Sequence, residues 1–265
     1  MYGCLLVIGL CWALGVVTKE YSWVDRAWSI LPIGYVAFFA SRTGFSDPRL
    51  ILMTALAVLW GARLTFNFAR KGGYAPGGED YRWAVLRARM TPWQWQLFHL
   101  GFVAGVQNII LLLLALPAWI AQRAASSGAA RPLGALDVIA AVLFVVFLIG
   151  ETIADENQWR FHQEKKAKVA RGEAVDPPFC DRGLFRFSRH PNFFCEQAMW
   201  WVFYLFGVAA TGEVINASLI GPVVLTALFH GSTRFTEEIT LSKYPTYADY
   251  QRRTSRLLPL PPRQA

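Results

Sequence analysis

The stretch "LDVIAAVLFVVFLIGETIADENQWRFHQEKK", Leu136 to Lys166, decides how this chain is read. Its first half is an apolar run; its second half carries acids, bases and amides with no proline to interrupt them. Crossing a bilayer core takes roughly 20 apolar residues, and residues 134–154 supply such a span. Because nothing breaks the helix where the polar half begins, the spacing predicts one helix that leaves the membrane and continues. Glu151, Asp155, Gln158 and His162 then share one face. Two readings of that face are open: a solvated surface, or the lining of a cavity, since Glu151 follows the apolar run directly. A metal site on Glu151, Asp155 and His162 is disfavoured by spacing, because neither Glu-x-x-His nor His-x3-His occurs.

The rest of the chain extends this pattern. Of 265 residues, 54% are hydrophobic and only 17% are charged. Ordinary soluble domains carry roughly 25% charged residues. The balance therefore points to an integral membrane protein. Apolar runs at 3–18, 27–41, 50–68, 95–121, 134–154, 193–210 and 214–231 predict an all-α polytopic helical bundle of about seven transmembrane helices. The N-terminal run has no basic segment before it and no small-x-small site after it, so it reads as a retained helix rather than a secretory signal. No repeat or separate soluble domain is evident, and residues 1–265 read as one integral domain. The four cysteines form no C-x-x-C pair and suggest neither a zinc site nor a disulfide framework.

Charge gives a sidedness. Alternate connections carry 21 Lys and Arg on one side and four on the other (Arg42, Arg49, Arg123 and Arg131), with Arg63 inside the third span. The positive-inside rule places the rich side in the cytoplasm, with the N-terminus outside and the C-terminus inside, as expected in a bacterial inner membrane. The net charge of +8 is then explained by topology and anionic headgroups, and nucleic acid is not an expected partner. The glycine- and proline-containing "KGGYAPGGEDYRW", Lys71 to Trp83, looks like the most flexible cytoplasmic connection.

Ionisable groups within or beside spans are the first functional candidates. Arg63 shares a helix face with Arg70, seven residues on, and either snorkels to the interface or binds an anion at the cytoplasmic mouth. Asp25, in "YSWVDRAWSILP", either caps a helix within an interfacial tryptophan belt or faces a cavity as a proton donor or substrate contact. In the tail, Arg234, Glu237, Glu238, Lys243 and Tyr244 lie close to the membrane in an amphipathic portion.

The strings "VDRAWSI", "RLTFNFARKGGY", "ADENQWRFHQEK", "GLFRFSRHPNFFCEQ" and "EEITLSKYPTYADYQ" together resemble the DUF1295 family of polytopic membrane proteins. That family is similar to the C-terminal domain of the steroid 5-alpha-reductases, and more distantly to sterol reductases and isoprenylcysteine carboxyl methyltransferases. The resemblance implies a seven-helix fold with a cofactor-binding C-terminal part, residues 150–258, and NADPH as the cofactor. The reductases' "N-F/Y-x-G-E" element falls on "NFFCE", so Asn192 and Glu196 carry over, with Cys195 in place of glycine. Asp155, Arg63, Arg70 and Tyr244 fall on further cofactor positions. The reductases' Gln-Glu pair and tyrosine, which hold a 3-oxo group, have no counterpart: Asp25 is the nearest acid and Trp60 stands near the tyrosine's place.

A dinucleotide pyrophosphate needs converging arginines, for which Arg63, Arg70, Arg182, Arg186, Arg189 and Arg234 are candidates beside His190. The expected function is NADPH-dependent reduction of a C=C bond in a steroid- or isoprenoid-type substrate, an oxidoreductase of lipid metabolism, with Asp25, Tyr21 and Glu196 as catalytic candidates and no metal. Its partners are then a hydrophobic substrate and membrane lipids. Two alternatives stand: an S-adenosylmethionine-dependent methyltransferase, whose "RHPxY" resembles "RHPNF", and a non-catalytic lipid-binding membrane protein.

Overall fold

The computed structural model describes residues 2–263, and these are all-helical, with no strand among them. In chain order the helices are α1 (Tyr2–Thr18), α2 (Trp23–Trp28), α3 (Leu31–Ser41), α4 (Pro48–Arg70), α5 (Tyr81–Ala88) and α6 (Pro92–Leu114). There follow α7 (Leu116–Ser126), α8 (Ala135–Ala170), α9 (Pro191–Thr211), α10 (Ile220–Lys243) and α11 (Tyr247–Arg253).

Local chemistry sets several boundaries. Asp47 caps α4 by accepting from the Leu50 amide at 2.9 Å. Pro48 opens the first turn, where a missing N–H costs nothing. At the start of α6 the Thr91 amide donates to Gln94 Oε1 at 2.9 Å, half of a capping box, and Pro92 follows. Helix α6 is not uniform, because His99–Val106 is wound as a π-helix between two α-helical turns.

Among the described residues, four helices are long and apolar enough to cross a membrane: α4, α6, α8 and α9. The longest, α8, has 36 residues. Its length, about 54 Å at a rise of roughly 1.5 Å per residue, exceeds a hydrocarbon core of roughly 30 Å. Its apolar half leaves Val138, Val142, Val146, Ile149 and Ile153 exposed, as lipid-facing residues must be. The chain is therefore an integral membrane protein. The run expected over 27–41 is split into α2 and α3. The second piece, α3, has 11 residues. Such a helix rises only about 16 Å, too little to span the core. The run at 214–231 turns helical only from Ile220 and then continues to Lys243.

Contacts divide the chain into two compact units, Met1–Ala141 with Val202–Val224, and Val142–Trp201 with Leu225–Ala265. The core of unit 1 includes Cys11, Tyr21, Val24, Trp83, Trp95, Val103 and Ala104. At one end of this unit Arg49 and Asp137, each 2% exposed, form a bidentate pair at 2.7 and 3.0 Å. Arg49 also donates to the Arg131 and Pro132 carbonyls at 3.0 and 3.1 Å, so this arginine, counted above with the outer loops, touches neither water nor headgroups. The connection 71–80 is pinned rather than loose. Glu20 accepts from the Gly77 amide at 2.7 Å, and Arg26 Nε donates to the Gly73 carbonyl at 3.2 Å. In unit 2, Ala154, Phe161, Cys180 and Phe185 form a smaller apolar cluster under the polar end of α8.

Candidate functional site

In unit 2 the face predicted on α8 divides along its length. Glu151 and Asp155 are buried, Gln158 is half-buried and His162 is exposed. The first turn of α9 meets the buried part. Asn192 Nδ2 donates to Asp155 Oδ1 at 3.4 Å, a long bond that leaves Asn192 Oδ1 as a free-standing acceptor direction. One turn on, the buried Glu196 accepts from Trp200 Nε1 at 3.0 Å, and Gln197 is buried beside it. Gly183, which leads into this region, has φ +60, and a Cβ there would run into Asn157 Oδ1. That oxygen accepts from the Leu184 amide at 3.0 Å, so the loop is tied to α8.

Arg189 and His190 are engaged within the chain. Arg189 donates from Nε and Nη2 to the two Glu237 oxygens at 2.7 and 3.0 Å, and from Nη1 to the Gln251 and Thr254 carbonyls. His190 Nε2 lies 3.0 Å from Glu237 Oε1, and Gln251 Nε2 donates to Glu237 Oε2 at 3.0 Å. Glu237 stands on the polar C-terminal turns of α10. Burial alone would raise its pKa, but hydrogen bonds from His190 and Arg189 outweigh this and push it down to about 2. The same segment binds the C-terminal tail through its backbone: the Arg189 amide donates to the Ser255 carbonyl at 2.8 Å and the His190 amide to the Arg256 carbonyl at 3.1 Å. "RHP" thus reads as a clamp joining the loop, α10 and the tail.

The remaining cofactor candidates are dispersed. Arg186 and Arg234 are exposed, and among the described residues neither side chain makes a hydrogen bond or ion pair. Tyr244 accepts from Lys165 Nζ at 3.1 Å, and that ammonium lies 4.7 Å from the Tyr244 ring centroid. In unit 1, Arg63 is half-buried, and Arg70 donates to Asn67 Oδ1 at 3.0 Å and covers the Phe66 ring.

The two catalytic candidates of unit 1 lie in an aromatic setting. Tyr21 is buried; its ring meets those of Trp95 and His99 edge-on, with centroids 4.9 and 4.7 Å away, and the Arg87 guanidinium lies 5.2 Å over it. Asp25 Oδ2 accepts from Trp83 Nε1 at 3.0 Å. Burial pushes the Asp25 pKa up and the Asp80 carboxylate adds to this, against the hydrogen bonds from Ser22 and Trp83. A raised carboxyl is suited to donate a proton.

Sequence reasoning passed over Glu237 as a surface charge, and it passed over Trp95, His99 and Asn108 altogether. The signal for the last three was available, since polar groups inside an apolar span are functional candidates in their own right.

An all-helical chain with lipid-exposed spanning helices and buried polar side chains in both units defines a polytopic integral membrane protein. It belongs to the DUF1295 family, whose model, described as "Protein of unknown function (DUF1295)", matches residues 11–254. A fission-yeast relative, Uncharacterized protein C594.04c of Schizosaccharomyces pombe, is 39% identical over 263 residues, covering 94% of this chain and 75% of the relative. Similarity to this family therefore reaches beyond bacteria and does not by itself carry the expectation of a bacterial inner membrane. No solved structure matches the chain.

Proposed function

We propose that the protein is a membrane-embedded reductase that uses NADPH to reduce a C=C bond in a lipid-like substrate. The observation that carries this is the pairing of Asp155 on α8 with Asn192 on α9 in unit 2, with the buried Glu196 one turn further along α9. These groups fit the polar parts of a nicotinamide ribonucleoside. An amide oriented by a carboxylate matches a carboxamide donor for acceptor, and the two carboxylates suit ribose hydroxyls. Exposed Arg186 and Arg234 supply guanidinium groups for phosphate. Arg189 and His190, being engaged by Glu237, are read as holding the loop that presents Asn192.

Bound NADPH would supply the hydride. The chain's own contributions are to orient the carboxamide through Asn192, to hold phosphate through the exposed arginines, and to store a proton on Asp25, whose carboxyl is buried beside Trp83. The excess of Lys and Arg on one set of connections supports a cytoplasmic location for this end of α8 and for the C-terminus.

The buried Asp155 and Glu196 favour a second reading, because carboxylates would also attract the sulfonium of S-adenosylmethionine. Melting of the purified, cofactor-free protein with NADPH, NADH or S-adenosylmethionine separates the two. A ligand at 100 times its Kd stabilises the native state by about 2.7 kcal/mol. NADPH is expected to raise the Tm, and Asn192→Ala to abolish the rise. No shift with NADPH overturns the reductase reading, a shift with S-adenosylmethionine alone replaces it with methyl transfer, and no shift with any of them leaves the non-catalytic, lipid-binding reading.

A further inference from the structure

The C-terminal tail is laid along the loop that leads into α9, and both segments belong to unit 2. The His190 amide donates to the Arg256 carbonyl at 3.1 Å, the Ser188 hydroxyl to the Leu257 carbonyl at 2.7 Å, and the Leu260 amide to the Phe187 carbonyl at 3.0 Å. The two segments therefore run in opposite directions, starting one residue outside α9.

This pairing sets the depth of the tail. Asn192 meets Asp155, and Asp155 is where the apolar half of α8 ends, so α8 and α9 leave the bilayer core at the same level. A segment bonded to His190, the residue before α9, then lies among the lipid headgroups.

Three properties of the tail fit that place. Its apolar side chains are bare: Phe187, Leu258 and Leu260 are 41%, 59% and 50% exposed, and the bond between Leu260 and Phe187 makes them one patch. Its charge has one sign. Residues 252–263 contain four arginines and no carboxylate, and the Arg256 and Arg263 side chains make no hydrogen bond or ion pair among the described residues. Its backbone leaves no donor over at residues 259–263. Pro259, Pro261 and Pro262 carry no N–H, the Leu260 amide is bonded to Phe187, and the Arg263 amide donates to the Arg253 carbonyl at 2.8 Å. Chain lying in water needs no such closure, whereas a medium poor in water penalises every unpaired N–H. Leucine and phenylalanine beside unpaired arginine is the composition of a segment held at the boundary of headgroups and acyl chains.

We propose that residues 258–263, together with Phe187, form an interfacial anchor for anionic phospholipid. Phe187, Leu258 and Leu260 enter the top of the acyl layer, and Arg256 and Arg263 pair with lipid phosphates. The anchor is independent of the reductase reading, and its test contains no nucleotide.

A nitroxide on Leu258→Cys is followed by electron paramagnetic resonance on the full chain in nanodiscs. Lys166→Cys, exposed on the polar end of α8, is the water-facing control, and the four native cysteines are buried, so the parent chain gives the labelling background. Collisions with oxygen, which concentrates in the bilayer, are compared with collisions with a neutral nickel chelate, which stays in water. The Leu258 label is expected to favour oxygen and the Lys166 label the chelate. Replacing part of the phosphatidylcholine by phosphatidylglycerol should strengthen the oxygen preference at Leu258. In those discs Arg256→Gln and Arg263→Gln should each lower the ratio of inserted to free tails, read from the two spectral components, by about fivefold. Neither arginine has a side-chain partner within the chain, so the Tm in detergent should match that of the parent, whereas a structural role would lower it. A Leu258 label as open to the chelate as the Lys166 label puts the tail in water or against a soluble partner and overturns the anchor. An oxygen preference unchanged by phosphatidylglycerol and by both substitutions overturns the anionic lipid as its partner.

Discussion

Replacing Glu237 by glutamine tests whether the "RHP" segment is a clamp. The side-chain shape is kept, but an acceptor-only group receiving two bonds from Arg189, one contact from His190 and one bond from Gln251 becomes half donor. The Glu237 pKa falls from the usual 4.5 to about 2 in the folded protein. By linkage this corresponds to roughly 3 kcal/mol, or about 2 kcal/mol after allowing for solvent screening. The folded-state pKa is depressed, so this stability is present in full above about pH 5 and is lost as pH falls toward 2. Glu237→Gln is therefore expected to be about 2–3 kcal/mol less stable than the parent at pH 7, with the gap narrowing as the medium is acidified. Urea unfolding in detergent across pH 7 to 3 measures the gap, and trypsin cleavage at Arg252 and Arg253, which the clamp secures, should accelerate in the variant. A variant within about 0.5 kcal/mol of the parent at pH 7, or a gap constant with pH, would refute the argument.

Asp137→Asn leaves Arg49 charged and buried beside two carbonyls. It should cost about 3–5 kcal/mol by chemical unfolding, whereas the double change Arg49→Met with Asp137→Leu should recover most of it. Gly15→Ala forces the His99 ring away from α1 and should lower stability by about 1–3 kcal/mol, read as a drop in Tm. Gly183→Ala combines a left-handed φ of +60 with the collision at Asn157. A loss of at least about 1 kcal/mol is expected, with faster proteolysis between α8 and α9 as the accompanying sign.

What could be read in the sequence depended on whether the deciding interaction was local. The length of α8 and its polar continuation follow from hydrophobic period, and the nearness of Asp155 to Asn192 from the family resemblance. The pairing of Arg189 with Glu237 does not, because the partners are 48 residues apart and each looks like an ordinary charge near a membrane surface. The same holds for Arg49 and Asp137, 88 residues apart, where a residue counted toward topology proved to be sealed inside unit 1. The winding of α6 is hidden for another reason. His99–Val106 reads as an ordinary stretch of an apolar run, and nothing in its period distinguishes a π turn from an α turn. Its packing is tertiary as well: a Cβ at Gly15 on α1 would lie 2.5 Å from His99 Cε1, so the smallness of Gly15 is what lets the buried ring approach.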